Sequence, residues 1–119
     1  MPTEHDDVLA MLPLPPATFH ILLALINDVR HGYAIIQDVE ARTGGELRMS
    51  AGTLYRSVAR MVEQGLIAEV TVRRTRADDE RRRYYRITAF GTAVARAELR
   101  RLAQLVRLGR ARGLAPASS

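Results

Sequence analysis

The segment SAGTLYRSVARMVEQGL, residues 50–66, decides the fold that we predict for this chain. Ser50 can cap a helix because its hydroxyl accepts an unpaired N–H of the first turn, and Gly65 can end one in a left-handed conformation. We therefore predict a helix over residues 51–64. At about 100° per residue, its apolar side comprises Leu54, Val58, Met61 and Val62. Its polar side comprises Thr53, Arg56, Ser57 and Arg60.

The polar side of this helix carries hydroxyl and guanidinium groups, which can hydrogen-bond base edges and phosphates. A helix of this width also fits the major groove of B-DNA. We interpret residues 51–64 as a DNA recognition helix. The alternative is an ordinary amphipathic surface helix with a solvated arginine face, and the segment by itself leaves both interpretations open.

The residues before this helix complete a helix-turn-helix. NDVRHG at 27–32 is a polar turn, and residues 32–43 predict a helix that ends at the glycine pair 44–45. The side chains expected to face inward are Tyr33, Ile36 and Val39. Residues 46–49 predict a short strand. Two helices joined by such a link are the arrangement that presents the second helix to DNA.

The N-terminal part of the chain predicts two further helices. Thr3 and Asp6 form the pattern of a capping box, which indicates a short first helix. The prolines at 15–16 stand where a longer helix can begin. Its inward residues, at helical spacing, are Phe19, Leu22, Leu23 and Ile26. Ile21 and Leu25 are apolar on another flank, and we assign them to an interface with a second subunit.

Two strands are predicted after the recognition helix, over residues 67–74 and 83–88, because β-branched and aromatic residues dominate both. The intervening TRADDERR, residues 75–82, is too polar to bury and is basic at both ends. We interpret it as a wing that contacts DNA through Arg74, Arg76, Arg81, Arg82 and Arg83. The alternative is a solvated hairpin tip, since the acids at 78–80 repel phosphate.

A last helix is predicted over residues 89–112, with Thr88 as its cap. Its apolar side chains cover about half of the circumference, which is more than one small domain can bury. We therefore predict a two-fold homodimer through this helix. The interface residues on it are Leu99, Leu102, Leu105 and Val106. The tail, 114–119, lacks apolar periodicity and is predicted to be disordered.

Composition narrows the class of partner. The chain has 119 residues, which suits a single domain, and its 18 basic residues are all arginine. A net charge of +5 favours a polyanionic partner. The absence of Cys excludes disulfides and thiolate chemistry. The longest aliphatic run, 21–26, is too short to span a bilayer, and the acidic N-terminus is unlike a signal peptide, so we expect a soluble cytoplasmic protein.

Residues that could support catalysis or metal binding do not form recognisable sites. His5, His20 and His31 stand in separate segments without paired ligand spacing, which favours structural or solvent-facing roles. The glycines lack the lysine and hydroxyl residue of a phosphate-binding loop. We expect no enzymatic activity, no metal and no cofactor.

Three ordered motifs identify a family resemblance. HGYAIIQDVEARTGG (31–45), GTLYRSVARMVEQGLI (52–67) and RRRYYRITAFG (81–91) resemble the PadR-type transcriptional regulators, and the likeness extends over 14–114. The resemblance implies a mainly α winged helix-turn-helix dimer, with a small β-hairpin, that represses promoters and dimerises through its C-terminal helix. The matching DNA-reading positions are Thr53, Tyr55 and Arg56 on the recognition helix, with Arg82, Arg83 and Tyr84 on the wing strand.

This sequence departs from the family pattern in two respects. Arg56 stands where many members carry proline after the tyrosine, which changes the groups offered to DNA. No Trp occurs, so a flat ligand cannot stack on indole, a mode used in parts of the family. The single helix after the wing resembles the short-armed members.

The leading hypothesis is a homodimeric repressor that binds double-stranded DNA, with a small-molecule effector at the dimer interface as the candidate release signal. The alternative is a winged-helix interaction module whose arginines meet an acidic protein. The expected divisions are an N-terminal extension (1–13), the DNA-binding domain (14–88), a dimerisation helix (89–113) and the tail. The DNA-binding set comprises Ser50, Thr53, Tyr55, Arg56, Arg60, the five wing arginines and Tyr84.

Overall fold

The computed structural model describes residues 3–71 and 83–114. In chain order these form α1 (Glu4–Ala10), α2 (Pro16–Leu25), β1 (Arg30–His31), α3 (Gly32–Arg42), α4 (Ala51–Glu63), β2 (Ile67–Val70), β3 (Tyr84–Ile87) and α5 (Ala89–Ala111). The strands make an antiparallel sheet in the order β1-β3-β2. The predicted class, mainly α with a small β-hairpin in a winged helix-turn-helix, is confirmed.

Local capping signals set the limits of α4 as predicted. The Thr53 N–H donates to the Ser50 hydroxyl at 3.1 Å, which satisfies one orphan donor of the first turn. At the other end Gly65 has a φ of 77°, and the Leu66 N–H reaches back to the Met61 carbonyl at 3.0 Å. Hydrogen bonds within one turn thus define both ends of α4.

The link before α4 differs from the prediction. Residues 46–49 form no strand. The third strand is instead β1, which lies in the segment that the sequence predicts as a polar turn. Arg30 pairs with Tyr85 on the open edge of β3. The Arg30 Nε also donates to the Ala24 carbonyl at 2.8 Å, which ties this edge strand to the end of α2. A pairing this short depends on the neighbouring strand and leaves no periodic signal in sequence.

The inward side of α3 was predicted correctly at Val39 and at Ile36, which packs against the core, but incorrectly at Tyr33. Tyr33 is 62% exposed, whereas Ile35 is completely buried and Val39 nearly so. Adjacent apolar residues at 35 and 36 allow two phases, and the packing against α2 and α4 selects the one that buries Ile35. On α4, Leu54, Val58 and Met61 face inward as expected, but Val62 is exposed.

α2 forms the centre of the core rather than a flank of an interface. Ile21, Leu22 and Leu25 are each at most 2% exposed. They belong to the same hydrophobic cluster as Leu54 and Met61. Ile21 and Leu25, which the sequence analysis assigned to the dimer interface, therefore belong to the core of the chain itself. The apolar sides of α2 are covered by α3, α4, α5 and β3.

The hairpin prediction is confirmed within the described residues, where β2 and β3 pair in the register Ile67 with Ile87 and Val70 with Tyr84. The predicted wing at 75–82 lies outside the described residues, together with Arg74. The disordered tail predicted at 114–119 falls there too, apart from Leu114.

α5 is anchored at its N-terminus to the turn that follows α4. The Thr88 hydroxyl accepts the Gly91 N–H at 2.9 Å and donates to the Gly65 carbonyl at 2.6 Å. Gly91 is buried directly against the Leu66 carbonyl. This contact positions α5 relative to the recognition helix.

Glu98 ties α5 to the segment that follows α1. Its side chain is only 2% exposed, and it accepts the Leu14 N–H at 2.7 Å and a hydrogen bond from Arg101. The hydrogen bond from Arg101 lowers the pKa of Glu98, burial raises it, and the Leu14 N–H lowers it further. The net direction is below the ordinary value of a glutamate, so the ionised form is favoured in the folded state.

We expect Glu98→Gln to flatten the acid limb of the stability curve. A carboxyl with a depressed folded-state pKa stabilises the fold above its unfolded pKa, and this contribution is lost as the pH falls through the folded value. At neutral pH the exchange of a charged for a neutral acceptor should cost about 1–2 kcal/mol. Urea unfolding between pH 3 and 7 measures both effects. An unchanged pH dependence in the variant would contradict the assignment.

Candidate nucleic-acid interface

The first turn of α4 holds an ordered set of polar side chains. The Ser50 hydroxyl lies 3.1 Å from the Thr53 hydroxyl, and the Arg56 Nη2 donates to the same Thr53 oxygen at 3.4 Å. The Arg56 guanidinium therefore lies along the start of the helix, close to Gly52. Partial ordering before binding reduces the conformational entropy that a guanidinium loses when it contacts a ligand.

The solvent face of α4 continues through Arg60. Both Arg56 and Arg60 are exposed, and neither has a carboxylate within ion-pair distance among the described residues. The only acid on the helix is its last residue, Glu63. This face can therefore offer two unpaired guanidiniums and the polar groups of Ser50 and Thr53 to a polyanion.

Tyr55 lies on the flank of α4 that faces the sheet. A Cβ placed on Gly32 would stand 2.6 Å from the Tyr55 hydroxyl oxygen, so the ring passes over the first turn of α3 where only a glycine leaves room. About half of the Tyr55 surface is exposed. The Tyr55 ring thus packs from α4 against the start of α3.

A groove of about 660 Å³ runs between this flank of α4, the start of α3 and the sheet. Its walls include Tyr33, Tyr55, Val58, Val62, Glu69 and Arg83. Arg83 and Glu69 approach each other across β3 and β2, with Nε and Oε1 4.0 Å apart. Both side chains are mainly exposed, so the pair is weak and its guanidinium can exchange partners. We call this the flank groove.

The floor of the flank groove includes Tyr85, which is buried. Burial raises the pKa of its phenol, and the negative charge of Glu69 raises it further, while Arg83 acts in the opposite direction. Tyr85 consequently stays neutral at physiological pH.

The structure describes only some of the DNA-binding residues predicted from sequence, and most of these lie on α4. Ser50, Arg56 and Arg60 are exposed on one face of α4, and Thr53 is half-buried beside them. Arg83 is exposed at the start of β3. The remaining wing arginines, Arg74, Arg76, Arg81 and Arg82, lie outside the described residues.

Tyr84, which the sequence predicts as a DNA contact, is largely buried in the free chain. It is only 7% exposed, and its ring lies edge-on to His31 with centroids 5.4 Å apart. Tyr84 is therefore largely covered in the free chain, on the face of β3 opposite to Tyr85. Sequence reasoning placed Tyr33 inward, whereas the structure places it on the wall of the flank groove. The second apolar phase of α3, in which Ile35 faces inward and Tyr33 outward, could have indicated this position.

The described residues contain no group of three or more metal-binding side chains, and none of their helices is long and apolar enough to cross a membrane.

Comparison with solved structures supports the same architecture. A transcriptional regulator from Clostridium thermocellum shares 26% identity at a TM-score of 0.66, covering 77% of this chain and 84% of that one. A PadR family transcription regulator from Clostridium difficile has 21% identity and a TM-score of 0.69, covering 81% and 96%. Bacillus subtilis PadR, solved in complex with operator DNA, has 19% identity and a TM-score of 0.62, covering 73% and 48%. No curated protein matches the sequence.

The sequence itself matches the Transcriptional regulator PadR-like family over residues 21–97. This match begins in α2 and ends within α5, so it includes the helix-turn-helix, the hairpin and the first part of the last helix. Members of the family are regulators rather than enzymes. The chain belongs to the PadR-like family of transcriptional regulators.

Proposed function

We propose that the protein is a DNA-binding transcriptional repressor that acts in the cytoplasm as a homodimer. The observation that carries this proposal is the solvent face of α4, where Arg56 and Arg60 are exposed without a carboxylate partner among the described residues. A capped helix with such a face suits the major groove. The structure of Bacillus subtilis PadR with operator DNA adds a parallel from a protein of the same fold.

The C-terminal half of α5 supports the homodimer part of the proposal. Residues 103–108 are all exposed in the single chain. The apolar side chains predicted to form the interface share one side of the helix, at Leu99, Leu102, Leu105 and Val106. A two-fold dimer would hide this surface and present two α4 helices. Its operator should then be an inverted repeat with half-site centres about 34 Å apart.

Release of the repressor by a small-molecule effector at the dimer interface is the finer part of this proposal. The apolar side of α5 offers such a molecule an environment that two chains together would enclose. Footprinting of the protein's own upstream region, with and without cell extract fractions, would identify both the operator and an effector.

The decisive experiment compares operator and random DNA at several salt concentrations for Arg56→Ala, Arg60→Ala and Arg82→Ala. At least one of the α4 variants should lose about 1–3 kcal/mol of preference at one base position, because an arginine that contacts a base edge carries sequence information. Arg82→Ala should weaken binding to both DNAs alike and lower the salt slope by about 1 per lost phosphate contact.

Two outcomes would contradict the proposal. If Arg82→Ala alone abolished operator preference while both α4 variants kept it, the roles of helix and wing would be exchanged. If the unmodified protein bound no duplex but captured an acidic protein, the interaction-module alternative would replace it.

A further inference from the structure

The flank groove lies beside the DNA-facing side of α4 and is not used by the proposed base contacts. Its rim carries two tyrosines from different helices: Tyr33 at the start of α3, 62% exposed, and Tyr55 on α4. Arg83, the residue immediately before β3, also lines the groove. Val58 and Val62 supply an apolar side between them. Phenol hydroxyls, a guanidinium and an aliphatic wall are thus combined in one concave surface.

This combination matches a sugar-phosphate backbone. Phosphate oxygens accept hydrogen bonds from hydroxyls and guanidiniums, whereas deoxyribose presents carbon atoms that can pack on aliphatic side chains. We propose that the flank groove receives the DNA strand bordering the major groove that α4 enters, with Tyr33 and Arg83 contacting its phosphates. This inference rests on the proposed function and adds a residue, Tyr33, that no sequence motif assigned to DNA.

Continuity with α4 favours this occupant over another ligand. Tyr55 and Arg56 project about 100° apart around α4, so the groove opens on the flank next to the face that carries Arg56. Because Gly32 has no side chain, Tyr55 can lie across the first turn of α3 and bring the two tyrosine-bearing helices to one rim. The groove is therefore built by elements that the helix-turn-helix already holds in place.

Glu69 provides an unusual test because it should oppose DNA binding. Its carboxylate lies 4.0 Å from the Arg83 guanidinium and would repel a phosphate in the groove. A phosphate must compete with Glu69 for Arg83, so removal of this negative charge should strengthen binding. Few residues of a DNA-binding surface are expected to improve affinity when they are replaced.

The experiment measures binding of full-length protein to operator and random duplexes at several salt concentrations. Tyr33→Phe should weaken binding to both by about tenfold or more, since it removes a hydrogen bond to a charged group. Glu69→Gln should strengthen binding to both by about two- to fivefold. Asp7→Asn is the matched control, because it changes the net charge equally but lies on α1, and Glu69→Gln must exceed it. Thermal unfolding should be unchanged in Tyr33→Phe, whose ring is exposed.

Operators with single neutral methylphosphonate linkages then locate the contact. At one or two positions beside the α4 site, the neutral linkage should weaken the unmodified protein but have little further effect on Tyr33→Phe, as a double-mutant cycle requires for a direct contact.

Failure of the proposed DNA contact in the flank groove is distinguishable from failure of the proposed function. If the unmodified protein binds its operator, but Tyr33→Phe behaves like it and Glu69→Gln behaves like Asp7→Asn, the groove assignment is wrong and the repressor proposal stands. Weakening of operator binding alone by Tyr33→Phe would also overturn it, since a phosphate contact carries no sequence information. If the unmodified protein binds no duplex, both are wrong.

Discussion

Gly91→Ala is expected to destabilise the fold by at least about 3 kcal/mol, at the upper end of the cost of overpacking. An added Cβ would stand 2.0 Å from the Leu66 carbonyl oxygen and 3.0 Å from Ile87 Cγ1. That carbonyl cannot yield easily, because it accepts the N–H of Thr88 at 3.1 Å and lies 3.0 Å from the Thr88 hydroxyl oxygen. α5 would have to move away from the turn after α4, and the core between them would open.

Gly109→Ala is the matched control for this prediction because it lies on the same helix. Its nearest neighbour, the Leu114 carbonyl, is 3.9 Å from the added Cβ, which is ordinary contact. Replacing a helix-interior glycine there should stabilise the fold by about 0.5–1 kcal/mol. Denaturant unfolding at one fixed protein concentration compares the two, since stability of a dimer depends on concentration. Equal denaturation midpoints for Gly91→Ala and the unmodified protein would refute the close approach of α5 to the Leu66 carbonyl.

The double replacement Leu99→Asp and Val106→Asp is expected to produce a folded monomer. These side chains are 61% and 44% exposed in the single chain, so charge there leaves the core of each subunit intact. They lie about two helical turns apart on the same side of α5. In a dimer the carboxylates would be buried without partners, at a cost of roughly 3–5 kcal/mol. Operator affinity should fall more than about hundredfold when the second half-site contact is lost.

Gln104→Asp with Ala111→Asp is the control for the dimer prediction. It adds the same charge at the same spacing, on exposed positions on the other side of α5. Light scattering should find this variant dimeric and the Leu99→Asp, Val106→Asp variant monomeric, with equal helix content by circular dichroism. A folded monomer for the unmodified protein, or a persistent dimer for the interface variant, would reject α5 as the dimerisation surface.

Sequence reasoning determined the features that depend on a few neighbouring residues. The limits of α4 follow from Ser50 and Gly65, and the start of α5 follows from Thr88, because a cap is a hydrogen bond within one turn. The hairpin strands and the inward faces of Leu54, Val58 and Met61 follow from short periodic patterns. The exposed arginines of the recognition helix were predicted in the same way.

Only the tertiary structure decided which of two compatible arrangements the chain adopts. The apolar pair at 35–36 permits two phases of α3, and packing chooses the phase that exposes Tyr33. Ile21 and Leu25 have the composition of an interface, yet α2 is surrounded by the chain's own elements. β1 forms because β3 has an open edge near it, and this pairing brings the Tyr84 ring edge-on to His31. Local hydrogen bonds act over one turn, whereas burial and strand pairing depend on residues distant in sequence. The sequence therefore predicts the capped helices and the hairpin, and the packed structure decides β1 and the exposed faces.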